Sequence, residues 1–345
     1  MKPILIDALH INMGGALTIL NHLVDRLVAK NVNFVLLKDD RCPQLKSEEK
    51  VRHMMVMSCA ESKRKNYYKA HRKDFKTVLC LGNIPPAIKM PVPVYTYIHN
   101  VSLLKIPEDY GYIWKLKSFL KRWYIRFRSF YTDAWIVQTS NTENLVKKYL
   151  PCKGKDIFTY PFYEIPAKVR NEKDKNRTDY IFVGEHTYAK GHEYLIDAWV
   201  ILSEKLKQNC PVLHLTVGSD VLKPYIENAI RNGAKIINHG RMPFEEVCRL
   251  YQRCKAIVYP SLNESLGLGI VEAIEAGCDV IGCDLPYLHS VCLPSETFVP
   301  QNPDSIVAAI LKYRSGTSAK TQLTIKDEAD NLIDFLHSDS PASRQ

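Results

Sequence analysis

The chain has 345 residues, long enough for two domains of common size. Its 46% apolar and 24% charged residues are those of a soluble globular protein, and no window approaches the roughly 20 consecutive apolar residues of a membrane-spanning helix. A formal charge of +10 invites a polyanionic partner, nucleic acid or an anionic membrane surface, while ten scattered cysteines without a C-x-x-C pair argue against a zinc site or a disulfide framework.

The first half alternates strand-like and helix-like segments. Residues 3–9 form a compact apolar run holding Asp7, which reads as a first strand and not as a signal peptide. A glycine turn at 12–15 follows, then helical spacing over 16–30 and a second strand at 34–37. Strand, turn, helix, strand is a β-α-β unit, and such units build parallel sheets that bind ligands beyond the carboxyl ends of their strands. Gly14 and Gly15 therefore sit where a ligand can approach the backbone. Residues 44–76 are polar and basic and read as a helix with solvated loops. Strands are expected at 77–81 and 92–98, the second ending in His99 at the ligand edge.

Residues 111–131 contain six basic side chains, Lys115, Lys117, Lys121, Arg122, Arg126 and Arg128, and no acidic one. At 100° per residue, Leu116, Phe119, Leu120, Trp123, Tyr124, Phe127, Phe130 and Tyr131 share one helix face, flanked by the basic residues. Two readings are open. The face packs on the first sheet, or it lies in a lipid interface with a collar for anionic headgroups. In both, Lys115, Lys117, Lys121, Arg122, Trp123 and Arg126 form a surface suited to a membrane or a lipid-diphosphate acceptor.

A strand at 133–140, a short helix at 141–149 and a strand at 157–161 complete the first domain, placed at 1–165. A polar, mixed-charge linker is expected at 166–178. The alternation then restarts, with strands at 179–183, 212–217, 235–238, 256–259, 280–283 and 298–299 and helices between them. This second domain is placed at 179–318, with 319–345 as a last helix and tail.

The most informative stretch is 259–277. A buried strand passes through the turn Pro260-Ser261-Leu262-Asn263 into a helix starting near Gly267. Glu264 lies in the turn and Glu272 in the helix, eight positions on. A helix N-terminus flanked by glycines favours phosphate, and two carboxylates suit hydroxyl-bearing ligands.

This stretch resembles the Glu-x7-Glu motif of retaining glycosyltransferases of family 4, within glycosyltransferase group 1. Its matching features are Pro260-Ser261, Glu264-Ser265-Leu266-Gly267, Glu272-Ala273 and Ala276-Gly277. Three shorter matches lie upstream: Phe182-Val183-Gly184 followed by Lys190-Gly191, Gly218-Ser219, and Gly240-Arg241-Met242. The resemblance implies an α/β GT-B fold, two doubly wound Rossmann-like domains facing across a cleft, with the last helix returning to the first domain. It implies that Glu272 binds ribose and Glu264 the donor sugar. The backbone of Ser265, Leu266, Gly267 and Leu268 would hold sugar and diphosphate. Lys190 would stabilise the leaving diphosphate, groups beside Gly184, Gly218, Gly240, Arg241 and Met242 would hold the nucleotide, and Gly14, Gly15 and His99 would complete the site. One position departs from the family: Glu185 stands where an Arg is usual, so the diphosphate's neutralisation falls to Lys190, Arg241 or helix amides.

The implied activity is transfer of a sugar from a UDP- or GDP-sugar to a hydroxyl of a growing lipid-linked or surface polysaccharide. Anomeric configuration would be retained, and neither cofactor nor metal would be needed. The expected place is the inner face of the cell membrane, bound peripherally in the cytoplasm. The alternatives are an inverting transferase of the same fold, a catalytically silent nucleotide-sugar sensor, and a nucleic-acid-binding protein. No RNP, helix-turn-helix or zinc pattern supports the last.

Overall fold

The computed structural model describes residues 2–105, 111–164 and 177–338. The linker expected at 166–178 lies outside these residues except for its last two. The described chain divides into two compact units, one of 2–105, 111–164 and 326–338, the other of 177–325.

The first unit is built on strands β1 (Ile4–Ala8), β2 (Phe34–Asp39), β3 (Met54–Met57), β4 (Thr77–Cys80), β5 (Val94–Ile98), β6 (Ala134–Val137) and β7 (Ile157–Thr159). All pair in parallel, in the order β3-β2-β1-β4-β5-β6-β7. Its helices are α1 (Gly14–Ala29), α2 (Glu61–Ala70), α3 (Tyr112–Arg128) and α4 (Ser140–Tyr149). The central strands are buried along their whole length, as their continuous apolar runs require. Asp7 is the one charged residue of β1. Its carboxylate accepts hydrogen bonds from Arg64 Nε at 2.8 Å and Tyr68 OH at 2.7 Å, so the buried charge is paired. Strand order reverses between β1 and β4, which puts this sheet's ligand edge at the loops after those strands.

The second unit has strands β8 (Asp179–Phe182), β9 (Leu213–Leu215), β10 (Ile236–Asn238), β11 (Cys254–Tyr259), β12 (Asp279–Cys283) and β14 (Glu296–Phe298), with β13 (Cys292–Leu293) pairing antiparallel to β15 (Gln322–Leu323) outside the main sheet. The main sheet is parallel in the order β10-β9-β8-β11-β12-β14 and reverses between β8 and β11. Helices α5 (His192–Leu206), α6 (Lys223–Arg231), α7 (Phe244–Arg253), α8 (Leu268–Glu275), α9 (Pro286–His289) and α10 (Pro303–Arg314) connect the strands. Asn302 caps α10 by accepting from Ser305 N at 2.9 Å, with Pro303 behind it.

The last helix, α11 (Ala329–His337), belongs to the first unit. Ala329, Leu332, Ile333 and Leu336 join the core of β1, β4, β5 and α1. Phe335 packs on Tyr95 and Phe158, and Arg26–Asp330 and Lys30–Asp334 tie the helix to α1.

Several readings from sequence need correction. α1 begins at Gly14, so Gly14 and Gly15 are its exposed first turn and not a free loop. The polar 44–76 segment contains β3, an edge strand whose Met54, Met55 and Val56 are exposed. The second unit runs to Ile325 because β15 pairs with β13. The face foreseen on α3 is uncovered: Trp123 is 59% and Phe127 58% exposed, while Ile125 on the opposite side is the helix's buried residue. Arg122 and Arg126 are less available than a collar requires, because they donate to the carbonyls of Leu104 (2.9 Å) and Tyr149 (2.7 Å).

Candidate active site

The second unit's ligand edge is organised by two loops at its reversal point. After β8 the chain reaches a short 3-10 turn, Tyr188–Lys190, and then Gly191 at φ +65°. A Cβ on Gly191 would lie 2.6 Å from the Pro260 carbonyl oxygen, so only glycine lets this loop press against the turn after β11. Leu262 N donates to Ala189 O at 2.7 Å and locks the two loops together. The side chains that meet there are the ones singled out by sequence. Lys190 Nζ donates to Glu264 Oε1 at 2.6 Å, and Tyr259 OH donates to the same oxygen at 3.0 Å. The Lys190 ammonium also sits over the Tyr259 ring, 5.8 Å from its centroid.

Next to this pair α8 begins, with Gly267 at φ +70° as its N-cap and no side chain capping the first turn. The N–H groups of Leu268 and Gly269 have no intrahelical acceptor, whereas Ile270 N donates to Gly267 O at 2.8 Å, and the turn carries the positive end of the helix dipole. Glu272 lies one turn on. Burial pushes its carboxyl up to about 7, against which the Tyr251 hydroxyl, donating at 3.3 Å, and the Lys190 charge work to keep it ionised. The site thus joins an ammonium, a helix N-terminus and two half-buried carboxylates. An anion flanked by hydroxyl-bearing groups fits this combination.

Glu185, out of place by sequence, has a partner. Its Oε1 pairs with Arg241 Nε, and its Oε2 accepts from Gly218 N at 3.2 Å. The three residues follow β8, β9 and β10, neighbours in the sheet. A Cβ on Gly218 would lie 2.6 Å from Arg241 Cγ, so the glycine makes room for the pair. Asn238 Oδ1 accepts from Val217 N (3.0 Å) and Gly240 N (3.2 Å), fixing the ends of β9 and β10. Arg241 itself remains 82% exposed. Met242 is half-buried beside it.

Sequence reasoning passed over His192. It is fully buried, its Nε2 lies 3.2 Å from the Gly184 carbonyl, and burial lowers its pKa to about 3, so it is a neutral prop for the loop. No spacing signal marks it, since it reads as the first residue of an ordinary helix.

In the first unit, His99 follows β5 and is lowered to about 4 by burial. Asn83, after β4 and at φ +66°, lies with its Nδ2 2.9 Å from His99 Nε2, while its Oδ1 accepts from His99 N and Asn100 N. Near pH 7 His99 is thus a neutral imidazole held by an amide, suited to packing or hydrogen bonding and not to carrying charge. Asn83 is a further residue that the sequence did not mark.

Comparison with known proteins bears on these observations. Residues 165–330 match the family described as Glycosyl transferases group 1. An uncharacterized glycosyltransferase of Methanocaldococcus jannaschii is 29% identical over 134 residues, covering 36% of this chain and 33% of that protein. The serotype-specific mannosyltransferase WbdA of Escherichia coli is 32% identical over 106 residues, covering 30% and 13%. The chain therefore spans a third or less of the length of these relatives. Among solved structures, sucrose-phosphate synthase of Thermosynechococcus elongatus superposes with a TM-score of 0.69 at 15% identity, over 91% of this chain and 90% of that one. HepE of Anabaena, solved with UDP and glucose, gives 0.66 at 12% over 92% and 91%. The lipopolysaccharide outer core galactosyltransferase WaaB gives 0.65 at 15% over 99% and 96%. At these identities the superpositions speak to fold alone. Residues 165–330 thus match the glycosyl transferases group 1 family, in a chain with the GT-B fold.

Proposed function

We propose that this protein transfers a sugar, with retention of configuration, from a UDP- or GDP-sugar to a hydroxyl of a growing lipid-linked or surface polysaccharide of the O-antigen, capsule or lipopolysaccharide type. The observation that carries the reading is the Lys190–Glu264 pair at the β8/β11 reversal, set beside the open N-terminus of α8 and Glu272.

On this reading the first-turn amides of α8 and Lys190 take the diphosphate. Charge grows on its leaving oxygen as the bond to the anomeric carbon breaks, and a fixed ammonium in a partly dehydrated site stabilises that charge more than water would. Glu264 accepts from donor-sugar hydroxyls and is kept in place by Tyr259. Glu272 accepts from the ribose hydroxyls. Arg241, steadied by Glu185, supplies the cation that the Glu185 position itself lacks. No resident metal is invoked, since Lys190, Arg241 and the helix amides supply the positive charge. Chelator treatment is expected to leave the rate unchanged.

The relatives add support of a coarser kind: WbdA is described as a mannosyltransferase, WaaB as a galactosyltransferase of the lipopolysaccharide core, and HepE was solved with UDP and glucose. The exposed aromatic face of α3, with Lys115, Lys117 and Lys121 beside it, suits an anionic membrane that carries a lipid-linked acceptor. Among the described residues no helix is long and apolar enough to cross a membrane. A thermal-shift screen of UDP-, GDP- and ADP-sugars tests the donor site, because a ligand that binds the folded state raises its stability by mass action. NMR of the product anomer tests retention. A protein that no nucleotide sugar stabilises would overturn the reading.

A further inference from the structure

The groups assigned to the donor by charge all lie on the second unit, yet the first unit has a reversal point of its own, between β1 and β4. Transfer needs a second substrate that presents a hydroxyl. At that reversal point His10 follows shortly after β1.

His10 is held in a conformation that side-chain-bearing residues avoid, φ +74°. The chain after β4 is pressed against it. A Cβ on Gly82 would lie 2.1 Å from the Leu9 carbonyl oxygen and 3.5 Å from His10 Cβ, and the next residue, Asn83, is also left-handed. The His10 backbone N–H is committed to Asp39 Oδ2 at 3.0 Å. Its ring Nε2 is enclosed without a hydrogen-bond partner, and Glu61 Oε1 stands 4.0 Å away.

Glu61 is itself fixed by Arg64 Nη1 at 3.2 Å and Arg128 Nη2 at 3.4 Å, the latter from the inner side of α3. The charged groups around the imidazole are Asp7, Asp39, Glu61 and Arg64. Burial, and then Arg64, push its pKa down, so it is neutral near pH 7. A carboxylate facing Nε2 favours the tautomer with the proton there. That leaves the Nδ1 lone pair, which no described residue takes up, on a side chain 27% exposed.

We propose that His10 is an acceptor-binding residue, its Nδ1 taking a hydrogen bond from a hydroxyl of the acceptor. The inference rests on the transferase reading above and gives the first unit's reversal point a ligand class: a hydroxyl on a saccharide or lipid-linked saccharide. The contact binds and orients. The Arg128–Glu61 link joins it to the helix whose outer face is exposed and aromatic.

The test uses the full chain, the nucleotide sugar selected by thermal shift, and a panel of octyl α- and β-glycosides of mannose, glucose, galactose and N-acetylglucosamine as acceptors. His10→Ala is expected to lower kcat/KM for the octyl glycoside about 10- to 100-fold, as expected for one hydrogen bond to a substrate hydroxyl. Donor affinity and hydrolysis of the donor by water should stay within about twofold, because no donor group has been removed. His10→Asn, whose amide oxygen accepts a hydrogen bond but takes up no proton, should recover most of the loss. Glu61→Gln should weaken acceptor use with the donor unaffected. An unchanged acceptor KM and kcat in His10→Ala would overturn the inference while leaving the donor site standing. So would equal losses in His10→Ala and His10→Asn, which would point to proton uptake. A wild-type protein that neither binds nor hydrolyses any nucleotide sugar would instead overturn the transferase reading, and this inference with it.

Discussion

Lowering the pH should weaken donor binding through Glu272. Its carboxyl stands at about 7 where an ordinary glutamate stands at 4.5, and burial is the cause. A raised carboxyl means the folded protein binds this proton more tightly than the unfolded chain does. The contribution to stability is fully present below pH 4.5 and is lost as pH rises to about 7, a change of about 3 kcal/mol in total. Above that pH the folded protein holds a half-buried charge, and two ribose hydroxyls donating to the carboxylate would stabilise it. Binding therefore favours the ionised form. For a group titrating at about 7, apparent Kd should rise about tenfold between pH 8 and pH 6, which is about 1.4 kcal/mol. Calorimetry with an intact nucleotide sugar measures this cleanly, since its diphosphate is esterified at both ends and does not titrate in that window. Near pH 7 binding should release about half a proton, seen as a dependence of the heat on buffer ionisation enthalpy. Glu272→Gln should bind more weakly and show neither effect. A wild-type Kd that is flat from pH 8 to pH 6, or an equal slope in Glu272→Gln, would refute the assignment of Glu272 to the ribose.

Other perturbations separate the remaining parts. Lys190→Ala and Glu264→Ala should each lower turnover about 100- to 1000-fold, the usual cost of removing one preorganised group from a site of developing charge. Each variant should still unfold cooperatively, and near-normal turnover in either would remove the pair from the mechanism. Gly191→Ala combines a left-handed backbone with a 2.6 Å approach to Pro260 O, so it should cost about 1–3 kcal/mol in denaturant unfolding and weaken donor binding. Wild-type stability would show that the β8 loop has room to move. Changing Lys115, Lys117 and Lys121 to Glu should release the protein from vesicles containing phosphatidylserine, as each basic residue near such a surface contributes about 1 kcal/mol. Arg122 is left out because it holds Leu104. Unchanged sedimentation would dismiss the membrane role of α3.

What the sequence disclosed follows from how far apart the cooperating residues lie. The turn and helix around 259–277 were legible because strand, glycine, helix start and both carboxylates fall within one short stretch. The parallel sheets were legible because strands buried on both faces read as unbroken apolar runs. β3 escaped because its apolar run, Met54–Met57, is only four residues long, lies inside a polar and basic segment and is mostly exposed at the sheet edge, so it shows neither the length nor the alternation of a half-buried strand. On α3 the periodicity gave the chemistry of each face, but whether a face is covered depends on its neighbours, and the structure leaves the aromatic one bare. Glu185 is the sharpest case. Alone it is a carboxylate where an anion is expected to bind, and its sense lies 56 positions away in Arg241, across three strand ends. A guanidinium held between that carboxylate and the strand ends loses less freedom on meeting an anion than an untethered one would. The acidic residue at 185 can thus serve a diphosphate by placing its neighbour's charge. On that argument Glu185→Ala should weaken nucleotide binding, whereas a carboxylate that merely repelled the ligand would make its removal favourable. The sign of that one change in Kd, read by calorimetry, decides between the two.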